Sequence, residues 1–133
     1  MRHRELRRLG SRRFYPAYPH RPLTYSANGL YSERAIRFEW DPEKDNANQA
    51  KHGVSFGEAT ELFESGVDYL EIFDEEHSEQ EDRFIAIGSI KRGVIVVAFT
   101  ERDDDIVRLI SARMATNLER ERLEGHVRKK NER

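Results

Sequence analysis

Apolar and charged residues alternate through Ile36-Arg37-Phe38-Glu39-Trp40, the period of a half-buried strand. Asp41 and Pro42 then open a helix. The Asp carboxylate accepts from the free first-turn amides, and Pro suits the first helical position because it has no amide to satisfy. This helix is expected to run to about His52, where Gly53 supplies the left-handed residue that ends it. Ser55-Phe56-Gly57-Glu58 reads as a capping box for a second helix, with Val54 and Ala59 as its hydrophobic staple. Phe56, Ala59, Leu62 and Phe63 form its apolar face, and Ser65-Gly66 stops it. A meander of strands is expected over 67–73, 83–88, 94–100 and 106–111. An acidic loop at 74–82, Lys91-Arg92-Gly93 and Asp103-Asp104-Asp105 separate them. The nearly unbroken apolar run from Val94 predicts a central strand covered on both faces. Thr116-Asn117-Leu118-Glu119 is another capping box, opening a last helix from Asn117 to about His126. The predicted order is β-α-α-β-β-β-β-α.

Composition narrows this picture. A chain of 133 residues has room for one ordinary domain. With no cysteine there is no disulfide framework, thiolate nucleophile or cysteine zinc site. No apolar run reaches the ~18 residues of a membrane span. The net charge of −2 conceals an asymmetry. Residues 1–35 carry eight Arg against two Glu, a balance of +6, while the remainder carries 15 Lys or Arg against 23 Asp or Glu, a balance of −8. Residues 1–35 also hold three of the four prolines and little apolar periodicity. Ser11-Arg12-Arg13-Phe14 is superficially similar to a twin-arginine export signal, but Pro16, Pro19 and Pro22 stand where an apolar segment would follow. The segment reads as a basic, disordered arm that meets nucleic acid or a partner, as an arm without function, or as the product of a start codon placed too far upstream. The domain proper is expected at 36–133.

Several stretches are similar to one known family. Phe38-Glu39-Trp40-Asp41-Pro42, Asn48 and Lys51-His52-Gly53-Val54-Ser55-Phe56 resemble the opening of BrnT toxins. Asp82-Arg83-Phe84-Ile85-Ala86-Ile87-Gly88, Thr100-Glu101-Arg102, and Arg108 to Ala115 followed by Glu119-Arg120 resemble its later blocks. The blocks cover 36–124 in order, and the ordered set is more specific than any one of them. The resemblance implies an α+β, RelE-like fold: a small, mostly antiparallel sheet of about five strands, two N-terminal helices and a C-terminal helix. It also implies metal-independent RNA cleavage that inhibits translation in the cytoplasm, with no cofactor and no membrane. The implied partner is a BrnA-like antitoxin, through which operator DNA would be reached. One position departs from the family, which often places Tyr three residues after the Glu-Arg pair of the last helix. Leu123 stands there, weakening any mechanism that needs a Tyr acid or base, unless the Tyr only packs.

Metal-free RNA cleavage needs a base for the 2′-hydroxyl, an acid for the leaving 5′-oxygen and cations for the phosphorane. Imidazole titrates in the right range, and arginine offers a planar fork to two phosphate oxygens. Lys51 and His52, catalytic candidates, end the first helix, where the alternative reading is that the helix dipole alone stabilises the cations and His52 serves the Gly53 turn. Arg102 and Arg113 are catalytic candidates on the resemblance; on a straight strand they would lie at opposite ends. Arg83 and Arg108 are either RNA contacts or members of structural ion pairs. Strict alternation in the fourth meander strand puts Val107, Leu109 and Ser111 on one face and Ile106, Arg108 and Ile110 on the other. Glu101 is a further candidate base or a solvated turn carboxylate. The run 74–82 lacks fixed ligand spacing, so it is expected to be a flexible solvated loop without metal. Arg120, Arg122, Arg128, Lys129 and Lys130 form either a basic face or, with Glu119, Glu121 and Glu124, a helix stabilised by its own pairs. The net negative charge of the folded part argues against broad RNA affinity. Beside the nuclease stand two other readings: a catalytically inactive RelE-like module acting with an antitoxin in promoter autoregulation, and an unrelated small structural domain.

Overall fold

The computed structural model describes residues 23–25, 31–33, 36–102 and 105–132. The arm expected at 1–35 lies mostly outside them. Its described parts are two short strands, β1 (Leu23–Tyr25) and β2 (Tyr31–Glu33), paired antiparallel.

The domain follows in the expected order. Strand β3 (Arg37–Glu39) leads to helix α1 (Pro42–His52). Asp41 Oδ1 accepts from the Glu43 amide at 2.9 Å, and Gly53 ends the helix at φ 73°. Two four-residue helices come next, α2 (Phe56–Ala59) and α3 (Glu61–Glu64), where one helix was expected. The division falls at Thr60, whose hydroxyl donates back to the Gly57 carbonyl at 2.7 Å. The capping box at Ser55 is half formed. Ser55 Oγ accepts from the Glu58 amide at 2.9 Å, but the Glu58 carboxylate turns to Arg92 instead. Arg92 also donates to the Gly53 carbonyl at 2.8 Å, tying the helices to the β-turn at the far end of the sheet.

Strands β4 (Leu70–Phe73), β5 (Arg83–Ile90), β6 (Gly93–Arg102) and β7 (Ile106–Met114) make the meander, and α4 (Asn117–Asn131) closes the chain. At α4 both halves of the capping box between Thr116 and Glu119 are present. The five-stranded sheet has the order β3-β7-β6-β5-β4, with β6 central as its apolar run implied. Among the described strands, β3 with β7 is the only parallel pair.

Each face of the sheet carries a core. Beneath α1 to α3 lie Phe84, Ala86, Ile95, Val97, Phe99, Val107, Leu109 and Ala112, packed against Phe56, Leu62 and Phe63. Phe63 meets Phe99 edge-on with ring centroids 5.1 Å apart. Gly88 is required here because a Cβ would stand 2.8 Å from Tyr69 Cβ and 2.9 Å from Leu62 Cγ. The second core is smaller: Ile87 and Val96 beneath Ala115 and Leu123.

Strand β7 departs from strict alternation. Phe99 pairs with Leu109 and Ala98 with Ser111, so Ile110 is an extra residue, a β-bulge. Beyond it Ala112, not Ser111, joins Leu109 in the core, and Ser111 and Arg113 share the face of Arg108. The alternation expected for Ser111 and Ile110 is corrected accordingly.

Strand β3 covers only the first three residues of β7. Further along, Asn48 of α1 takes the place of a neighbouring strand. Its Nδ2 donates to the Ala112 carbonyl at 2.8 Å, and its Oδ1 accepts from the Ala112 amide at 3.2 Å. Nδ2 also donates to the Val54 carbonyl at 2.8 Å. Asn48 is buried, so removing the carboxamide leaves interior peptide groups unsatisfied. Asn48→Ala is expected to lower the unfolding free energy by about 3 kcal/mol, from two or more orphaned buried groups, as read from urea denaturation. Asn48→Asp should be comparably destabilised, because a carboxylate cannot donate to either carbonyl.

Candidate functional site

The face opposite α1 to α3 gathers arginines from four strands. Cross-strand partners share a face, and one row there runs Arg83, Thr100, Arg108, Glu39 across β5, β6, β7 and β3. The next row towards the strand ends holds Arg102, Ile106 and Arg37. Glu39 Oε1 lies 3.1 Å from Arg108 Nη1 and 3.3 Å from Arg102 Nε, so one carboxylate serves two guanidinium groups. Arg37 meets Asp105 at 3.6 Å. The Arg83 guanidinium has no hydrogen bond or ion pair among the described residues. These four arginines therefore outnumber Glu39 and Asp105 by two, a local positive excess within an acidic domain. Their side chains are partly exposed, which leaves the forks able to exchange Glu39 for phosphate oxygens.

A pocket of about 310 Å³ adjoins this row, lined by Glu76, His77, Glu79, Gln80, Glu81, Arg83 and Thr100. The segment beside it is largely solvent-exposed, as its composition implied, but it contains a short ordered turn. Glu75–His77 is a 3₁₀ turn built on buried Ser78. The Ser78 hydroxyl donates to the Asp74 carbonyl at 2.5 Å and accepts from the Arg83 amide at 2.9 Å. His77 Nδ1 lies 2.9 Å from Asp74 Oδ2. Thr100 is 2% exposed, and its hydroxyl has no hydrogen-bond partner among the described residues. Sequence reasoning passed over both His77 and Thr100. His77 sits in a run whose composition reads as solvent-facing, and Thr100 stands at the end of an apolar strand. Among the described residues no group of three or more His, Cys, Asp or Glu side chains is placed to hold a metal ion.

The other candidates lie elsewhere. Arg113 is opposite Val96, whereas Arg102 is opposite Ile106. Six residues of β6 separate Val96 from Arg102, roughly 20 Å at the rise of a strand. The two arginines share a face but not a site. Arg113 forms a two-pronged pair with Glu119, at 2.8 Å and 2.7 Å, and Nη1 also reaches the Met114 carbonyl at 3.3 Å. Lys51 and His52 end α1 on the Asn48 side, where the helix meets Ala112, four residues along β7 from Arg108. The structure does not bring them to the Arg83–Thr100–Arg108 row. Leu123, at the position of the family's frequent Tyr, is a buried member of the second core. Glu101 pairs with Val107 and so belongs to the opposite face from Arg102. On α4, Lys130 pairs with Asp68 at 3.0 Å, and Arg120 bonds Asn117 and the Ala115 carbonyl.

A model described as "Ribonuclease toxin, BrnT, of type II toxin-antitoxin system" matches residues 40–119. The chain is thus a toxin of the type II toxin–antitoxin class. Within that class it belongs to the BrnT family, whose class implies an antitoxin partner. It is similar to the crystal structure of the Brucella abortus ribonuclease toxin BrnT, with 27% identity, covering 62% of this chain and 100% of that one at a TM-score of 0.47. No curated protein matches. No helix among the described residues is long and apolar enough to cross a membrane.

The Arg113–Glu119 pair has a measurable signature. Hydrogen bonds from Arg113, followed by the Thr116 amide and the guanidinium charge, outweigh burial and hold the Glu119 carboxyl down at about 2. Because the folded value lies below the unfolded one, the pair's contribution is complete above about pH 4.5 and is lost as pH falls towards 2. Allowing for solvent screening, about 1–2 kcal/mol of stability should disappear across that window. Urea unfolding of the wild type and Arg113→Leu at pH 6 and pH 3 checks this: the variant should lack that part of the pH dependence.

Proposed function

We propose that this toxin is a metal-independent endoribonuclease that blocks translation in the cytoplasm, and that a BrnA-like antitoxin neutralises it. The observation carrying this reading is the row Arg83–Thr100–Arg108, flanked by Arg102, on a sheet face that α4 covers only at its other end. A phosphodiester laid on that row meets guanidinium groups from three strands, the arrangement that stabilises a phosphorane without a metal. Operator DNA would be reached only through the antitoxin, and residues 1–35 would serve as a basic arm adding attraction for RNA. The kinship to RelE-type toxins belongs to the same proposal. In it Arg83, Arg102 and Arg108 hold RNA, while Arg113, Lys51 and His52 serve the fold. The second reading, an inactive module working only in promoter autoregulation, draws on Leu123 standing where the family often has Tyr; Leu123 itself packs in the second core.

Induction of the full chain in bacteria should arrest growth and translation, and co-expression of the adjacent reading frame should rescue it. Arg83→Ala with Arg108→Ala should abolish arrest while leaving a soluble, cooperatively melting protein. Uninterrupted growth with abundant folded wild-type protein would instead establish the inactive module.

A further inference from the structure

We propose that His77, oriented by Asp74, is the catalytic base of the pocket floored by Arg83 and Thr100. This inference rests on the ribonuclease reading of that face. His77 stands at the end of the 3₁₀ turn with Nδ1 2.9 Å from the Asp74 carboxylate. A carboxylate accepts only, so in the neutral imidazole that a base requires Nδ1 carries the hydrogen and Nε2 the lone pair. The side chain is 58% exposed, so a polynucleotide can reach it. Both walls of the pocket are fixed to one another through Ser78, which bonds the Asp74 carbonyl on one side and the Arg83 amide on the other. The backbone that carries Asp74 is thus tied to the start of the Arg83 strand.

The opposite wall is suited to an oxyanion. The Arg83 guanidinium has no hydrogen bond or ion pair among the described residues, and Thr100 has a buried hydroxyl whose hydrogen bond is unmade. An interior hydroxyl without a partner is costly unless a ligand completes it. The volume of about 310 Å³ is at the lower end for a small-molecule site and admits a phosphate with its ribose. Glu76, Glu79 and Glu81 line the loop side with His77, so the phosphate belongs on the Arg83–Thr100 side and the sugar between.

The step balances with no added reagent. Nε2 of His77 takes the proton of a ribose 2′-hydroxyl. The freed oxygen pair forms the bond from O2′ to phosphorus, and the bond from phosphorus to O5′ breaks, its electron pair leaving on O5′. Water supplies the proton to O5′, and His77 returns its own to solvent. The products are a 2′,3′-cyclic phosphate and a 5′-hydroxyl, with nothing oxidised or reduced.

The test uses the full chain and a mixed-sequence single-stranded RNA under single-turnover conditions. His77→Ala should slow cleavage by about 10²- to 10⁴-fold, the usual weight of a general base. It should melt as the wild type does and bind the 2′-deoxy analogue of the RNA with unchanged affinity. Added imidazole should restore part of its rate and none of that of Arg83→Ala, because only the first lacks a proton acceptor. Asp74→Asn should show a smaller loss and a displaced pH–rate profile; the charged groups facing His77 in that comparison are Asp74, Glu76, Glu79, Glu81 and Arg83. If the wild type cleaves and Arg83→Ala with Arg108→Ala does not, but His77→Ala cleaves normally, the base assignment falls and the ribonuclease reading stands. A slowed His77→Ala that imidazole cannot restore also overturns it, as a positioning role would behave that way. A folded wild type that cleaves no RNA removes both.

Discussion

The architecture depends on one carboxamide. Where β3 stops pairing, β7 would present bare peptide groups to the interior beneath α1, and such groups are expensive to leave unmade. Asn48 satisfies the Ala112 amide and carbonyl together, as a neighbouring strand would, and holds the Val54 carbonyl as well. No aliphatic side chain could do this, and no charged one could do it without a desolvation penalty. Because Ala112 is the first inward-facing residue after the bulge, the same contact fixes the register in which Ser111 and Arg113 turn to the arginine face. The helix layer and the charge pattern of the far face are thus set by one junction.

The arginines divide by what they already hold. Arg92 and Arg113 each grip a single carboxylate with two nitrogens, join elements distant in sequence or orientation, and have little left to give a ligand. Arg102 and Arg108 share one carboxylate, and Arg83 holds none among the described residues. A phosphate competes most easily for forks that are shared or unfilled. For the proposed RNA ligand the attraction would be local, concentrated where three strands end, with Glu76, Glu79 and Glu81 lining the adjoining pocket and limiting unspecific adhesion.

What could be read in the chain beforehand follows the range of the interactions involved. Asp41, Gly53 and Thr116 act on amides and carbonyls within one turn, so the ends of α1 and the start of α4 were visible in the residues themselves. The centrality of β6 was visible in its apolar run. The bulge at Ile110 was not, because its cause is the packing of Leu109 and Ala112 against helices far away in the sequence. The diversion of Glu58 to Arg92 was hidden for the same reason, 34 positions along the chain; the division of the second helix at Thr60 rests on a local bond to the Gly57 carbonyl that competes with the helix pattern. At the candidate site, Arg83, Arg102 and Arg108 could be named from the residues, but grouping them needed cross-strand register. His77 was masked by composition: a run rich in Glu looks solvated, and only the Ser78 and Asp74 contacts show that it is held.

The lone parallel pairing has a consequence for how the molecule comes into being. β3 is made before the meander, yet its partner strand among the described residues is β7, and Glu39 meets Arg108 across 69 positions of chain. Such a distant closure is slow to find and cannot begin until the partner exists. During synthesis the antiparallel hairpin of β5 and β6 can zip as it emerges, while β3 and α1 wait for the strand that fills the gap between them. The row of Arg83, Thr100, Arg108 and Glu39 is consequently complete only once β7 has joined the sheet, and a nascent chain halted before β7 carries the arginine of β5 without its neighbours.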